Sequence, residues 1–166
     1  LHCSSAASDV YKRQIIDLGA APGSWSQYVS KKVKHAKILS IDLLDFEKIE
    51  NICQIKGDFT DDESKKKIKD YFYSKVDVVM SDMAVNTTGN KNLDSINTSE
   101  LCIEAMNFSK EVLKEDGKFI SKIFMGSTFN EIIHESKKIF KENKVFKPAA
   151  SRKDSKESFI ICKFLR

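Results

Sequence analysis

Short apolar segments with the length of β-strands alternate with helical patterns along most of this 166-residue chain. Three of the helical patterns begin with a capping box, at Ser24, Thr60 and Thr128. A fourth helix is predicted over residues 99–113, where apolar side chains recur at helical spacing. The predicted strands cover residues 15–18, 37–41, 52–56, 76–80, 118–123, about 144–147, and 157–163.

This alternation predicts an α/β fold with a mainly parallel sheet and helices on both faces. No long helix separates the last two of the seven predicted strands, so we expect them to form an antiparallel hairpin at the sheet edge. The length is that of one domain. Residues 1–14 show neither a helical nor a strand period, and we interpret them as a leader, disordered or an assembly artefact, outside a domain that covers residues 15–166.

Composition excludes several classes of protein. No apolar run approaches the roughly 20 residues that a bilayer span needs, and the N-terminus lacks the order of a signal peptide, so we expect a cytoplasmic protein without a membrane partner. Four cysteines are scattered without C-x-x-C spacing or a nearby histidine, which predicts buried free thiols and no metal site. No exposed apolar helical stripe is evident, and we expect a monomer.

Basic charge is concentrated near the C-terminus. The chain has 28 Lys and Arg and 24 Asp and Glu, a net charge of +4. Residues 137–166 hold ten of the basic and three of the acidic residues, so this segment carries +7 and the remainder −3. Such asymmetry favours an anionic partner such as nucleic acid, although a solvated lysine-rich surface has the same composition.

Loops after the first three predicted strands have the residues of a nucleoside site. Residues 17–27 form a small-residue turn before a helix, but the spacing from Gly19 to Gly23 is not the G-x-G-x-x-G of dinucleotide sites. Asp42 ends the second strand, where a carboxylate can bind ribose hydroxyls, and Asp58 follows the third, where an acid can meet an adenine edge. This arrangement indicates an adenosine ligand without phosphates, with S-adenosylmethionine as the obvious candidate. Trp25 either belongs to the core or lines this cofactor pocket.

A candidate catalytic group lies on the next two strands. The fourth strand ends in Ser81-Asp82, with neither the acidic-Pro-Pro-aromatic motif of amino-directed methyltransferases nor a loop cysteine. Lys122 lies in an apolar run near the carboxyl end of the fifth strand, where a lysine is costly unless it is paired. We hypothesise that Lys122, beside Asp82 and Glu157, assists loss of the proton of an acceptor hydroxyl while Asp82 orients it.

These residues carry a family resemblance over residues 15–166. The chain resembles the FtsJ-type 2′-O-methyltransferases of large-subunit ribosomal RNA in the segments DLGAAPGSWSQ (17–27), IDLLDF (41–46), GDFTDDE (57–63), SDMAVN (81–86), EVLKEDGKFISKIFMG (111–126) and KPAASRKDSKESFII (147–161). The resemblance implies a Rossmann-like methyltransferase fold and methylation of a uridine ribose in 23S ribosomal RNA. It implies cofactor contacts at Gly23, Trp25, Asp42, Asp58 and Asp82, and a catalytic set of Asp82, Lys122 as proton acceptor, and Glu157.

The chain also departs from the family pattern. Ser24 replaces a glycine, and Val85 replaces a proline of the catalytic loop. The family has a further active-site lysine on a helix ahead of the first strand, and Lys12 and Arg13 lie too close to Asp17 to be its equivalent. We therefore expect an N-terminally truncated chain with weakened RNA binding or activity.

The loop before the last strand is predicted to face RNA. Its cations Arg152, Lys153 and Lys156 can bind phosphates, which gives salt-dependent affinity without sequence specificity. A merely solvated loop is the alternative. Two other functions stay open at this stage: ribose methylation of transfer RNA, and a non-catalytic RNA-binding factor in ribosome assembly.

Overall fold

The computed structural model describes residues 13–83, 89–149 and 157–166. The described residues form seven strands and four helices. Their bounds are β1 Gln14–Leu18, α1 Ser24–Lys32, β2 Lys37–Asp42, β3 Ile52–Lys56, α2 Asp62–Phe72, β4 Val76–Ser81, α3 Lys91–Val112, β5 Leu113–Phe124, α4 Phe129–Ile139, β6 Phe140–Phe146 and β7 Glu157–Leu165.

The strands form one sheet in the order β3-β2-β1-β4-β5-β7-β6. Neighbouring strands from β3 to β5 are parallel, and β7 is antiparallel to both β5 and β6. The mainly parallel α/β fold and the final hairpin are therefore confirmed. The structure adds that β7 lies between β5 and β6, so that β6 is the outermost strand on that side.

Alternation along the strands creates two apolar layers, because successive side chains point to opposite faces of a sheet. Ile15 belongs to a cluster with α1, whose Trp25 and Val29 pack against it. Its neighbour Ile16 belongs to the larger cluster on the other face, which α2, α3 and α4 cover. Strands β5 and β7 contribute five buried side chains to this larger cluster: Leu113, Phe119, Ile123, Ile160 and Cys162.

Helix starts differ from the predicted capping boxes. Ser24 is the first residue of α1 and Gly23 its N-cap, while Asp61 rather than Thr60 precedes α2. Thr128 is the N-cap of α4 as predicted, but its hydroxyl does not cap the helix. It hydrogen-bonds the hydroxyl of Ser99 on α3 instead, because the packing of α3 against α4 offers a closer partner.

The cysteines are partly as expected. Cys102 and Cys162 are buried free thiols, and burial raises the pKa of Cys102 to about 11. Cys53 is disulfide-bonded, which corrects the expectation of a free thiol at that position. Among the described residues, no helix combines the length and apolar character of a membrane span, and no cluster of His, Cys, Asp and Glu could hold a metal ion.

Candidate active site

The loop after β1 curls over the end of β2. The backbone amides of Gly19 and Ala20 both donate to the carbonyl of Ile41, at 2.9 and 3.1 Å. Gly19 has φ +70°, and a Cβ at this position would lie 2.2 Å from Cγ of Met83. Only glycine therefore allows the loop to approach the segment after β4 so closely.

Asp42 ties the loops after β1 and β2 together. One carboxylate oxygen accepts a hydrogen bond from the Ala21 amide at 2.9 Å, and the other accepts from the Leu44 amide at 2.8 Å. Asp58 is held by Thr60, whose amide and hydroxyl donate to Oδ1 at 2.9 and 2.7 Å. Each carboxylate keeps lone pairs for further donors, because an ionised carboxylate offers about four acceptor positions.

These loops enclose a pocket of about 290 Å³ at the carboxyl ends of the parallel strands. Three of the five predicted cofactor residues, Asp42, Asp58 and Asp82, line it, and Gly23 and Trp25 do not. Gly23 instead forms the turn into α1 with φ +100°, and Trp25 packs its ring 5.6 Å from that of Phe159. The remaining lining residues are Gly19, Ala21, Ile41, Leu43, Leu44, Gly57, Phe59, Met83 and Leu101.

A buried acid behind the pocket was not among the predicted site residues. Asp17 is fully buried, and its Oδ2 accepts a 2.5 Å hydrogen bond from Ser26, whose hydroxyl also lies 2.6 Å from that of Ser40. Its Oδ1 has no hydrogen-bond partner within the described part of the chain. Burial, with the charges of Asp82 and Asp42, raises the pKa of Asp17 to about 6. The place of Asp17 near the end of the first strand could have indicated a role in the site. Its burial, which raises the pKa, follows only from the fold.

The structure brings Lys122 and Asp82 together at the edge of this pocket. Ser81 pairs with Ser121 across β4 and β5, so the residues that follow them, Asp82 and Lys122, are also neighbours. Nζ of Lys122 lies 2.7 Å from Oδ1 of Asp82 and 3.5 Å from its backbone oxygen. The two side chains are 15% and 33% exposed, so the ion pair is shielded yet reachable from solvent.

Glu157 lies on the same face of the sheet as Lys122. Lys122 pairs with Phe159, and Phe124 pairs with Glu157, across the antiparallel strands β5 and β7. Glu157 is thus a diagonal neighbour of Lys122, a position whose Cβ–Cβ separation is at most about 7–8 Å. The predicted RNA-binding residues Arg152, Lys153 and Lys156, and Val85 of the catalytic loop, lie outside the described residues.

The residues of the pocket fit S-adenosylmethionine. Asp42, Asp58 and Asp82 present carboxylates to a ligand that carries hydroxyls, an adenine amine and a positive sulfonium, and Asp17 adds a further acid behind them. The apolar side chains of Ile41, Phe59, Met83 and Leu101 suit a flat base. The pocket lining combines hydrogen-bond-accepting carboxylates with apolar side chains and, among the described residues, includes no Lys or Arg. Such a lining matches a cationic nucleoside better than a nucleoside that carries phosphates.

Comparison with known proteins identifies the family of the chain. The sequence model of the family described as FtsJ-like methyltransferase matches residues 6–165. The chain is 68% identical over 152 residues to ribosomal RNA large subunit methyltransferase E of Pelagibacter ubique (strain HTCC1062), covering 92% of the chain and 75% of that relative. It is 45% identical to the protein of the same name from Rickettsia akari (strain Hartford), covering 89% of the chain and 68% of that relative.

Solved structures show the same architecture. A protein from Plasmodium falciparum assigned as a ribosomal RNA methyltransferase superposes with a TM-score of 0.79 at 29% identity, over 92% of this chain and 86% of that one. Human methyltransferase-like protein 13, in complex with SAH, has a TM-score of 0.72 at 13% identity, over 92% and 72%. At that identity the likeness concerns the fold alone. From its sequence match and its site, the chain belongs to the FtsJ-like methyltransferase family.

Proposed function

We propose that this chain transfers a methyl group from S-adenosylmethionine to the ribose 2′-hydroxyl of a uridine in the 23S ribosomal RNA of the large ribosomal subunit. The observation that carries the proposal is the 2.7 Å ion pair between Lys122 and Asp82, because Asp82 also lines the nucleoside-sized pocket. The pair therefore joins a place for the methyl donor to a group that can move a proton. The names of the bacterial relatives support ribosomal RNA as the acceptor.

The residues of this site can deprotonate an alcohol. S-adenosylmethionine bound in the pocket would supply the methyl group from its sulfonium. The rest of the cofactor would then leave as a neutral thioether. Nζ of Lys122, in its uncharged form, accepts the proton of the 2′-hydroxyl as the oxygen takes the methyl group. Asp82 then stabilises the ammonium that results, and it holds Nζ at the pocket edge throughout.

Glu157 and the loop before β7 complete the proposal. Glu157 is exposed near Lys122 on the same sheet face, and we assign its carboxylate to positioning the lysine side chain and the acceptor ribose. Arg152, Lys153 and Lys156 precede it in the chain and supply cations for RNA phosphates. We propose that Gly23 and Trp25 act on the cofactor indirectly, through the turn into α1. The protein is proposed to work as a cytoplasmic monomer.

The test is transfer of a labelled methyl group from S-adenosylmethionine to large ribosomal subunits that lack ribose methylation, followed by mapping of the modified nucleotide. Transfer to a uridine 2′-oxygen is expected. Modification of transfer RNA instead, or cofactor and RNA binding without transfer, would select one of the two alternative functions.

Lys122→Ala identifies the proton acceptor in the same assay. We expect kcat to fall about 10²- to 10⁴-fold, the usual contribution of general acid–base catalysis, with the affinity for RNA nearly unchanged. The matched control is Lys67→Ala on α2, because Lys67 forms an ion pair with Glu63 at the same 2.7 Å distance but away from the pocket. Equal activity of the two variants would contradict the assigned role.

A further inference from the structure

The sheet face that carries Lys122 continues across β7 to β6 in regular rows. In the first row, Lys122 pairs with Phe159, and Phe159 pairs with Phe146. In the second row, Ile120 pairs with Ile161, and Ile161 pairs with Lys144. We call these two rows the β5–β7–β6 face, which begins at the catalytic pair and ends at the outermost strand.

The side chains of this face point away from the main core. Ile160 is buried in the large cluster and Val145 packs against it, so their chain neighbours Phe159 and Phe146 project to the opposite side. Phe159 is half-buried because Trp25 contacts its ring at 5.6 Å. No ring among the described residues stacks on Phe146, and 47% of this residue is exposed.

The spacing of the first row suits a nucleic-acid strand. Adjacent strands lie about 4.8 Å apart, so Phe146 is two spacings, about 10 Å, from the backbone of Lys122. That distance is short enough for the nucleotide next to one whose 2′-hydroxyl meets Lys122 to reach the Phe146 ring. Lys144 is exposed in the next row, at the correct side to meet a phosphate of that nucleotide.

We propose that Phe146 is a stacking platform for an unpaired RNA base next to the nucleotide that is methylated, with Lys144 binding the adjoining phosphate. This inference rests on the proposed function and adds how the substrate strand is positioned. An exposed ring with nearby lysines is the combination that single-stranded RNA binds, because every base has a flat face and every linkage an anionic group.

The charge of the surrounding face favours RNA over a protein segment. The third row along the same strands pairs Lys118 with Lys163, and Lys163 with Glu142. Each of these three rows therefore contains at least one cation, whereas a docking surface for an apolar helix needs a continuous apolar patch. Another copy of this chain would also bring its own lysines against these.

The test compares steady-state methylation of large subunits lacking ribose methylation by the full chain and by three Phe146 variants. Phe146→Ala is expected to raise KM for the subunit about tenfold, a typical loss for one base–aromatic stack, with kcat at saturation unchanged. Phe146→Tyr should restore the KM because it keeps a ring. Phe146→Leu should behave like Ala, since apolar volume without a ring cannot stack in the same way.

Phe164→Ala is the matched control, because Phe164 is also exposed, at 39%, but lies at the far end of β7. An unchanged KM in Phe146→Ala, or a wild-type KM in Phe146→Leu, would overturn the inference. A change in solution mass of Phe146→Ala would overturn it too, by assigning the face to contacts between copies.

A binding measurement separates this inference from the proposed function. Fluorescein-labelled decauridylate should bind Phe146→Ala about tenfold more weakly than the unmodified protein, whereas an abasic decamer should bind both equally. If both decamers respond equally to the substitution, stacking is refuted. If the decauridylate result holds but no methyl transfer occurs with any RNA, the stacking platform stands and the proposed reaction fails.

Discussion

Asp17, Asp42 and Asp82 place three carboxylates around one small volume at the ends of β1, β2 and β4. Two of them face the pocket, but Asp17 is buried behind it and meets the donor hydroxyl of Ser26. Because burial disfavours its charged form, the pKa of Asp17 is raised from 3.8 to about 6. Burial of Asp17 therefore lowers the free energy of unfolding, and the size of this effect depends on pH.

The pH dependence of this cost has a definite sign. Well below pH 4, Asp17 is protonated in both the folded and the unfolded chain, and it carries no penalty. As the pH rises from about 4 to about 6, the unfolded chain loses its proton first, so the free energy of unfolding falls by up to about 3 kcal/mol. In Asp17→Asn this fall should be absent, which denaturant titrations of both proteins between pH 4 and 7 would measure.

Asp77 is the control with the opposite sign. Burial acts to raise its pKa, but the Gln14 amide and the Lys114 ammonium outweigh burial and hold it below its usual value. Removing the Asp77 charge by Asp77→Asn should therefore cost more stability as the pH rises through the acid range. If Asp17→Asn shows the same slope as Asp77→Asn, the assignment of a raised pKa to Asp17 is wrong.

At the scale of elements, α3 and α4 are joined by hydroxyl groups as well as by apolar packing. Thr128, the N-cap residue of α4, hydrogen-bonds Ser99 of α3, and the Ser99 hydroxyl also lies 2.8 Å from the backbone oxygen of Ser95. Ser99 is 3% exposed, so water cannot readily replace its partners. This contact explains why the Thr128 side chain does not cap its own helix.

A double-mutant cycle tests the contact between these helices. Ser99→Ala and Thr128→Val should each lower the free energy of unfolding by about 1 kcal/mol, with a coupling of similar size because both remove the same hydrogen bond. Ser109→Ala is the control: its buried hydroxyl donates to the backbone oxygen of Met106 in its own helix, at 2.7 Å, so it should not couple to Thr128. Additive effects of Ser99→Ala and Thr128→Val would contradict the structure.

Elements with a regular apolar pattern were predictable from the sequence, and those with charged starts were not. The bounds of β1 to β4 agree with prediction to within a residue, because each begins with a short run rich in apolar side chains between polar turns. By contrast, β5 begins at Leu113 rather than near Lys118, since the charged residues after Leu113 hide its start. The predicted start of β6 was late for the same reason: Lys141 and Glu142 are exposed.

The candidate site follows the same division. Asp42, Asp58, Asp82 and Lys122 could be predicted because they lie at strand ends, which parallel topology brings to one edge. The pocket walls at Met83 and Leu101 could not, because their approach depends on tertiary packing without a local pattern. The row from Lys122 to Phe146 required the register of β7 between two other strands.

At the scale of the whole molecule, the distribution of charge determines how RNA binding should respond to salt. Replacing Arg152, Lys153 and Lys156 together by alanine is expected to weaken binding to large subunits. It should reduce the slope of log affinity against log salt by about 2, if each cation displaces a counterion from single-stranded RNA. Binding measured across a series of salt concentrations gives this slope directly.

A second triple substitution controls for net charge. Lys66, Lys67 and Lys69 lie on α2 and pair with Asp70, Glu63 and Glu111, at a distance from the pocket. Their replacement by alanine also removes three positive charges, yet it should leave the slope of log affinity against log salt unchanged. Equal changes in the two triple variants would mean that overall charge, and not the loop before β7, controls the affinity.

The position of β7 between β5 and β6 has a consequence for how the protein is made. During translation, β5 and β6 emerge before the strand that joins them, so β6 has no neighbour to pair with until residues 157–165 are synthesised. Until then Lys122 lacks Phe159 beside it, and an open strand edge is exposed to other chains. A nascent chain therefore cannot complete the β5–β7–β6 face beside Lys122 until β7 has been synthesised, even though the strands that carry Asp82 and Lys122 have already emerged.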